Sequence, residues 1–135
     1  AQCPGMPLLQ SETTVEMSAD EKRAFADGVR ALYSEIMQTG TGHAAVVVRP
    51  RSPGELSIGR EVPDADRLFL DAEIRRGRSG ETKRELALAI MDLAAEEFGV
   101  PTPNMKVVFT EHQGPNMMGY DRVGAEWDSA EGDGD

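Results

Sequence analysis

The sequence predicts a mixed α/β (α+β) fold in which a β-α-β unit occurs twice, giving a four-stranded mixed sheet with two helices on one face. The first observation is an internal repeat: Ser18 and Ser79, 61 residues apart, each begin a helix-forming run. The second is that a Lys-Arg pair follows each serine at the same offset, at Lys22-Arg23 and at Lys83-Arg84. Apolar segments recur at that offset too: Leu8-Leu9 with Phe69-Leu70, and Val46-Val47-Val48 with Val107-Val108-Phe109.

The first unit is predicted to span residues 7–50. Its opening strand covers about Leu8–Val15. Ser18 followed three residues later by Glu21 is the pattern of a capping box, which marks the start of a helix. One face of that helix is apolar, with side chains recurring at helical spacing: Phe25, Val29, Leu32 and Ile36. We expect Gly40 and Gly42 to end the helix, and the closing strand to run over Ala44–Arg49.

The second unit is predicted over residues 67–111, after a linker at 51–66 rich in Pro, Gly, Ser and charge. A strand at Arg67–Ile74 precedes a helix at Gly80–Glu97, which Gly99 and Pro101 terminate, and Met105–Thr110 is the closing strand. We expect a C-terminal arm at 112–127 and a disordered acidic tail at 128–135, so the whole chain, 1–135, forms one domain.

The two valine-rich strands lead us to expect that several copies of the chain assemble. A strand–helix–strand unit of this length is a crossover between parallel strands. Neither Val46–Val48 nor the run 107–109 shows polar alternation, a pattern typical of strands buried on both faces. Since two helices cover only one face of a sheet, we expect other copies of the chain to cover the second, apolar face.

Composition excludes several classes of partner. With 24 acidic against 14 basic residues and a net charge of −10, the chain is a poor match for nucleic acid or anionic membranes. No apolar run is long enough to span a bilayer. The single cysteine, Cys3, indicates a reducing cytoplasm. His43, His112 and that cysteine form no metal-ligand spacing, so neither a metal nor a cofactor is expected.

The turn before the second helix holds three arginines, Arg75, Arg76 and Arg78, in an otherwise acidic chain. A helix N-terminus offers unsatisfied N–H groups and partial positive charge, so arginines beside it can seat a carboxylate or phosphate. The alternative is a surface turn whose arginines pair with some of the acidic residues.

These features together resemble the tautomerase superfamily, and within it the cis-3-chloroacrylic acid dehalogenase group. The resemblance rests on the duplicated unit, on Pro7 at the start of strand one, and on Gly77-Arg78-Ser79 running into the Lys-Arg helix. The run Gly114–Arg122 and the later Glu126-Trp127 are similar to that group's C-terminal segment. The similarity covers about Pro7 to Trp127.

The resemblance implies a homotrimer whose chemistry depends on an amino-terminal proline. A free proline nitrogen near arginines in an apolar pocket has a depressed pKa and can act as a base, acid or nucleophile. In the group, two arginines at i and i+3 hold the substrate carboxylate, and Arg75 and Arg78 occupy those positions here. Tyr33 is a further candidate for lining the pocket.

Three departures from the group matter. Pro7 is not the first residue, so its nitrogen is an amide in the chain as printed. Tyr33 stands where the dehalogenases place a water-assisting histidine. Val108 and Gly119 stand where the group has its water-activating tyrosine and glutamate, so efficient hydrolytic dehalogenation is not expected.

The beginning of the chain leaves alternatives open. If translation starts at Met6, removal of that methionine leaves Pro7 with a free amine. If Ala1 is the terminus, its α-amine, with a reference pKa of about 7.7–8.0, could serve as base or Schiff-base nucleophile. In the third alternative the site is catalytically inactive.

The predicted function is therefore binding of a small 2-oxo or unsaturated carboxylic acid through Arg75 and Arg78, with Tyr33 nearby. Keto–enol tautomerisation or weak hydration would follow if an amino-terminal amine, Pro7 or Ala1, carries the proton. The alternative is an inactive family member that acts as a binding or structural protein. A decarboxylase or hydratase acting on a semialdehyde or acetylenic acid would need a water-handling residue that the sequence does not show.

Overall fold

The computed structural model of the chain describes residues 7–40 and 44–120, and residues 122–123 as a short strand. The two predicted β-α-β units are present. The first consists of β1 (Leu8–Thr13), α1 (Ala19–Met37) and β2 (Ala45–Pro50). The second consists of β3 (Leu68–Arg75), α2 (Gly80–Phe98) and β4 (Met105–His112). In the region predicted as an arm, a 3-10 turn at Gly114–Asn116 leads to a small hairpin of β5 (Met118–Gly119) and β6 (Arg122–Val123).

The four long strands form one mixed sheet in the order β2-β1-β3-β4. Strands β1 and β2 are parallel, as are β3 and β4, while β1 and β3 pair antiparallel at the centre. In that central pairing Leu8 lies opposite Glu73 and Thr13 lies opposite Leu68. The beginning of the first unit therefore lies beside the end of β3, which is where the candidate site forms.

Both helices begin where the sequence predicts. The Ser18 hydroxyl accepts from the Glu21 N–H at 3.1 Å, and the Glu21 carboxylate accepts from the Ser18 N–H at 2.8 Å, which completes the capping box. Helix α2 ends at Gly99, whose φ of 70° is the left-handed conformation that glycine adopts readily. Helix α1 ends earlier than predicted, because Gln38 takes the left-handed conformation at φ 54° before either glycine is reached.

Both helices pack on one face of the sheet around a single core. Its buried centre comes from alternate residues of β1 and β3 and from one face of each helix. The principal members are Leu9, Leu68, Leu70, Ala72, Ile74, Phe25, Val29, Tyr33, Met37, Leu86 and Ile90. Phe25 of α1 and Phe98 of α2 meet edge to face, with ring centroids 5.8 Å apart. Burial of these side chains is the main favourable contribution to folding.

The valine-rich strands are incompletely buried within a single chain. Strands β2 and β4 are the two edges of the sheet, and most of β2 is half-buried. Val108, in the middle of β4, is 47% exposed. Burial of these apolar runs on both faces was expected only with other copies of the chain in place, so it stays a prediction.

The face of the sheet opposite the helices is polar, which corrects the expectation of a bare apolar face. Strand β1 alternates between half-buried and buried residues, and β3 does so up to Ile74, after which Arg75 is also buried. Their half-buried positions carry amide and carboxylate groups at Gln10, Glu12, Asp71 and Glu73. Arg49 and Lys106 of the edge strands line a cavity of about 250 Å³ on this face, which we call the outer face.

The connection between the two units is held by one buried side chain. The Asn104 amide donates to the carbonyls of Val62 and Asp66 at 3.0 and 3.1 Å, and its oxygen accepts from the Val62 N–H at 2.7 Å. Asn104 is 0% exposed. The predicted tail at 128–135 lies outside the described residues. Neither long helix, in the part of the chain that the structure describes, has the length and apolar character to cross a membrane.

Candidate active site

The candidate site begins where β3 turns into α2. Strand β3 ends at Arg75, and Ser79 caps α2 by accepting from the Thr82 N–H at 3.1 Å. Between them Gly77 has a φ of 130°, a conformation in which a side chain would be strained. This glycine allows the chain to reverse between Arg75 and Arg78 within three residues.

Two of the three arginines in this turn are buried. Arg75 is 2% exposed and Arg78 is 6% exposed, whereas Arg76 between them is exposed. Arginine is rarely buried to this degree without partners, because removing its charge from water is costly. The alternative of a surface turn is therefore wrong for Arg75 and Arg78, although it fits Arg76.

Arg78 reaches across to the end of the other helix. Its Nε and Nη2 atoms both donate to the main-chain carbonyl of Met37, at 3.3 and 2.9 Å. A helix C-terminus carries unsatisfied carbonyls and partial negative charge, so a cation there is favourable. Arg78 thus has a structural role in joining α1 to the turn before α2, a role that needs no ligand.

Tyr33 brings α1 into the same cluster. It is 1% exposed, and the Arg78 Cζ atom lies 5.9 Å from the centre of its ring, within range of a cation–π interaction. Burial raises the pKa of the Tyr33 phenol above its ordinary 10.0, while the charges of Arg78 and Arg75 act in the opposite direction. The phenol is therefore neutral at pH 7 and able to donate a hydrogen bond.

The charge of Arg78 survives its burial. Desolvation lowers the pKa of its guanidinium to about 10; Tyr33 acts to raise this pKa, and Arg75 acts to lower it further. A group with a pKa of about 10 is still protonated at neutral pH. The structure thus brings Arg75, Arg78 and Tyr33 together as two buried cations beside a neutral phenol.

Pro7 lies at the same end of the sheet. It is buried, and its carbonyl accepts from the Ala45 N–H at 2.9 Å, which extends the pairing of β1 with β2. Since Leu8 pairs with Glu73 in the antiparallel register, Pro7 comes opposite Ile74, next to Arg75. Ala1, the other predicted catalytic residue, and Cys3 lie outside the described residues.

One polar pair at this end was not among the predicted site residues. The His112 Nε2 atom lies 3.2 Å from a carboxylate oxygen of Glu73, on the outer face of the sheet. Two features of the sequence could have located this pair. Strands β1 and β3 alternate between polar and apolar residues, and His112 is the last residue of β4.

The remaining positions are more ordinary. Val108, which stands in place of the group's tyrosine, lies on the outer face beside the cavity of about 250 Å³. Across the described ranges, no three His, Cys, Asp or Glu side chains lie close enough together to hold a metal ion.

Comparison with known proteins supports the fold independently. Residues 69–125 match the family model of the Tautomerase enzyme family. No curated protein sequence matches the chain.

Solved structures match over most of the chain. N1, a member of the cis-3-chloroacrylic acid dehalogenase family, is similar at 24% identity and a TM-score of 0.77, covering 88% of this chain and 84% of N1. FG41 malonate semialdehyde decarboxylase inhibited by 3-bromopropiolate is similar at 20% identity and a TM-score of 0.71, covering 84% and 90%. A Q0 fused 4-OT symmetric trimer is similar at 16% identity and a TM-score of 0.75, covering 87% and 95%. At these identities the likeness shows the fold alone. The chain accordingly has a segment, residues 69–125, that matches the Tautomerase enzyme family model, and its two β-α-β units have the fold of these solved structures.

Proposed function

We propose that the chain binds a small 2-oxo or unsaturated carboxylic acid at Arg75 and Arg78 and catalyses its keto–enol tautomerisation. The observation that carries this proposal is the burial of two arginines, 2% and 6% exposed, around a neutral tyrosine at one end of the sheet. A guanidinium in a water-poor site attracts a carboxylate strongly and stabilises negative charge as an enolate forms. The Tyr33 phenol would donate to the same anion.

The proton carrier in this proposal is an amino-terminal amine. A chain that begins at Pro7 would present a secondary amine next to Leu8, opposite Ile74 and beside Arg75. A chain that begins at Ala1 would have to bring its primary amine to the same place. Weak hydratase activity is compatible with this arrangement, whereas efficient dehalogenation is not, since Val108 and Gly119 offer no acid or base.

We further propose a homotrimer in which copies of the chain cover the outer face. Support comes from the fold, which the chain shares with a 4-OT symmetric trimer, and from the exposed edge at Val108. Sedimentation equilibrium would give a mass of about 44 kDa, three times the 14.6 kDa of one chain. A single species at the mass of one chain would contradict the trimer and leave the site proposal standing.

The enzymatic proposal is tested by ketonisation of phenylenolpyruvate with two forms of the protein, one beginning at Ala1 and one at Pro7. We expect turnover above the buffer rate, faster from the form that begins at Pro7. Arg75→Ala should lower kcat/KM at least tenfold, while Arg76→Ala, an exposed neighbour, serves as the matched control. No turnover from either form would remove the enzymatic proposal.

The second candidate function is a catalytically inactive binding or structural protein. It is favoured by the two hydrogen bonds from Arg78 to the Met37 carbonyl, which give that arginine a structural role within the fold. It predicts that neither form turns over and that Arg78→Ala lowers stability without changing carboxylate binding. Titration calorimetry with 3-phenylpropionate, alongside urea unfolding of the same variant, separates the two candidates.

A further inference from the structure

A chain of polar contacts crosses all four strands on the outer face and ends at His112. Arg49 of β2 donates to the Gln10 side-chain oxygen at 2.6 Å, and the Gln10 amide of β1 donates to one Glu73 oxygen at 3.0 Å. The other Glu73 oxygen lies 3.2 Å from His112 Nε2. Both oxygens of this carboxylate are thus engaged, and its orientation toward the imidazole is fixed from the opposite edge of the sheet.

The Glu73 contact determines which imidazole nitrogen is basic. A carboxylate only accepts hydrogen bonds, so the nitrogen that faces it, Nε2, carries the proton in neutral imidazole. The Nδ1 atom of His112 is then left with its lone pair and is the nitrogen able to take up a proton.

This pair lies beside the candidate site. His112 and Arg75 are register partners on adjacent strands, so their Cα atoms are about 4.8 Å apart. The Arg76 N–H also donates to the His112 carbonyl at 2.8 Å. Glu73 and His112 line a cavity of about 240 Å³ together with Leu8, the residue that follows Pro7. Asn116 and Met117 close the far side of that cavity.

We propose that His112, oriented by Glu73, faces the bound acid and is the group that accepts the proton of its enol hydroxyl. The inference rests on the proposed function and extends it, because ketonisation removes a proton from oxygen and adds one to carbon. In this step His112 Nδ1 takes the O–H proton as the electron pair of that bond forms the carbonyl. The C=C electrons take a proton from the protonated terminal amine, and solvent then restores both groups.

The internal repeat supplies a matched control. Glu12 and Arg51 lie 61 positions before Glu73 and His112, and they form the corresponding pair, with Arg51 Nη2 and a Glu12 oxygen 2.6 Å apart. Each end of the sheet thus pairs a carboxylate with a nitrogen-bearing side chain, and among the described residues only the end beside the buried arginines has an imidazole in this position. The next charged neighbours of His112 on β4 and α2, Glu111 and Lys83, are paired with each other at 3.1 Å.

Activity is the first readout. We expect His112→Gln to lower kcat for phenylenolpyruvate ketonisation about a hundredfold, within the usual range for a lost acid–base group, with KM little changed. Glu73→Gln should lower kcat less, because it disturbs only the orientation of the imidazole. Glu12→Gln, the matched control, should leave kcat unchanged. Wild-type kcat in the His112→Gln variant would overturn the proposal.

The second readout does not depend on turnover. Nitrogen-15 NMR of the two imidazoles, assigned with the His112→Gln variant, should show His112 as the Nε2–H tautomer, with a shift toward Nδ1–H in Glu73→Gln. Adding 3-phenylpropionate should perturb the His112 Nδ1 resonance in the wild type but not in Arg75→Ala. If that carboxylate binds in an Arg75-dependent way without perturbing His112, the proposal is overturned and the proposed function stands. If the wild type shows no turnover, the proposed function fails, and the same titration shows whether the pair faces a bound acid.

Discussion

Arg78 binds the main-chain carbonyl of Met37 through two guanidinium nitrogens, so a residue of the second β-α-β unit holds the last turn of the helix of the first. This contact holds the side chain of one of the two predicted anion-binding arginines in position without a ligand. It also means that substitutions at this position affect folding and binding together.

Replacing Arg78 by Met should destabilise the protein by about 1.5–3 kcal/mol, the usual contribution of hydrogen bonds to a charged group. Arg78 is 6% exposed, so solvent screening does not reduce this figure. The stability of Arg78→Lys should lie between those of Arg78→Met and the wild type, because an ammonium cannot reproduce the two parallel hydrogen bonds of a planar guanidinium. Urea unfolding measures the free energies, with Arg76→Met as the exposed control. Equal stability of the two Met variants would mean that the Met37 contact contributes nothing.

Replacing Gly77 by Ala should destabilise the protein by about 1–3 kcal/mol, the cost of holding a non-glycine residue in a sparsely populated backbone conformation. The φ of Gly77 is 130°. Gly80→Ala is the matched control: Gly80 begins α2, and an added Cβ there meets no atom within 4 Å. We expect that control to be neutral or stabilising by up to about 1 kcal/mol. Thermal unfolding of both variants makes the comparison, and a tolerated Gly77→Ala would show that the turn relaxes freely.

Replacing Asn104 by Ala should cost about 3 kcal/mol, roughly 1 kcal/mol for each of its three hydrogen bonds to the connecting segment. Asn104→Asp should be at least as damaging, because a carboxylate would face the carbonyls of Val62 and Asp66. Thr102→Ala, an exposed change in the 3-10 turn at Thr102–Asn104 that precedes β4, should stay within about 0.5 kcal/mol of the wild type. Chemical unfolding gives all three values. Were Asn104→Ala to match the Thr102 variant, the connection would not depend on this side chain.

Tyr33 should make stability depend on pH only in alkaline solution. Because burial raises the pKa of its phenol above 10.0, its contribution is fully present below pH 10.0 and is lost as the pH rises through the folded-state value. The difference in unfolding free energy between wild type and Tyr33→Phe should therefore be constant below pH 10.0 and shrink above it. Urea unfolding of the pair across pH 8 to 11 tests this. A difference that grows with pH would contradict a raised pKa.

Most of the fold could be predicted from local signals in the sequence. The repeat from Ser18 to Ser79, the two serine caps and the helical spacing of Phe25 and Val29 each arise from short-range rules, and each is present in the structure. Element ends were less predictable. The left-handed Gln38 ends α1 ahead of the glycines because the last turn closes through the Gln38 N–H and the Ser34 carbonyl.

What the sequence could not predict is the order of the strands. The duplicated unit predicts two parallel pairs of strands but not which strands join them. Strands β1 and β3 pair with each other, so the valine runs at 46–48 and 107–109 form the edges. The antiparallel pairing brings Glu73 opposite Leu8, and the parallel pairing of β3 with β4 places His112 next to Arg75. The arginine positions were predictable from Gly77-Arg78-Ser79, whereas the Glu73–His112 pair depends on the register between two strands that a whole helix separates in the sequence.

The antiparallel junction of the two units also determines where a function can reside in this molecule. One unit supplies Pro7 and Tyr33, the other supplies Arg75 and Arg78, and they meet only because the units run head to tail. Neither half of the polypeptide, expressed alone, would hold both sets of groups. A half-length chain could rebuild the site only by pairing with a second half-length chain through antiparallel strands. Splitting the protein between Arg51 and Arg67 and mixing the two fragments should therefore restore the site.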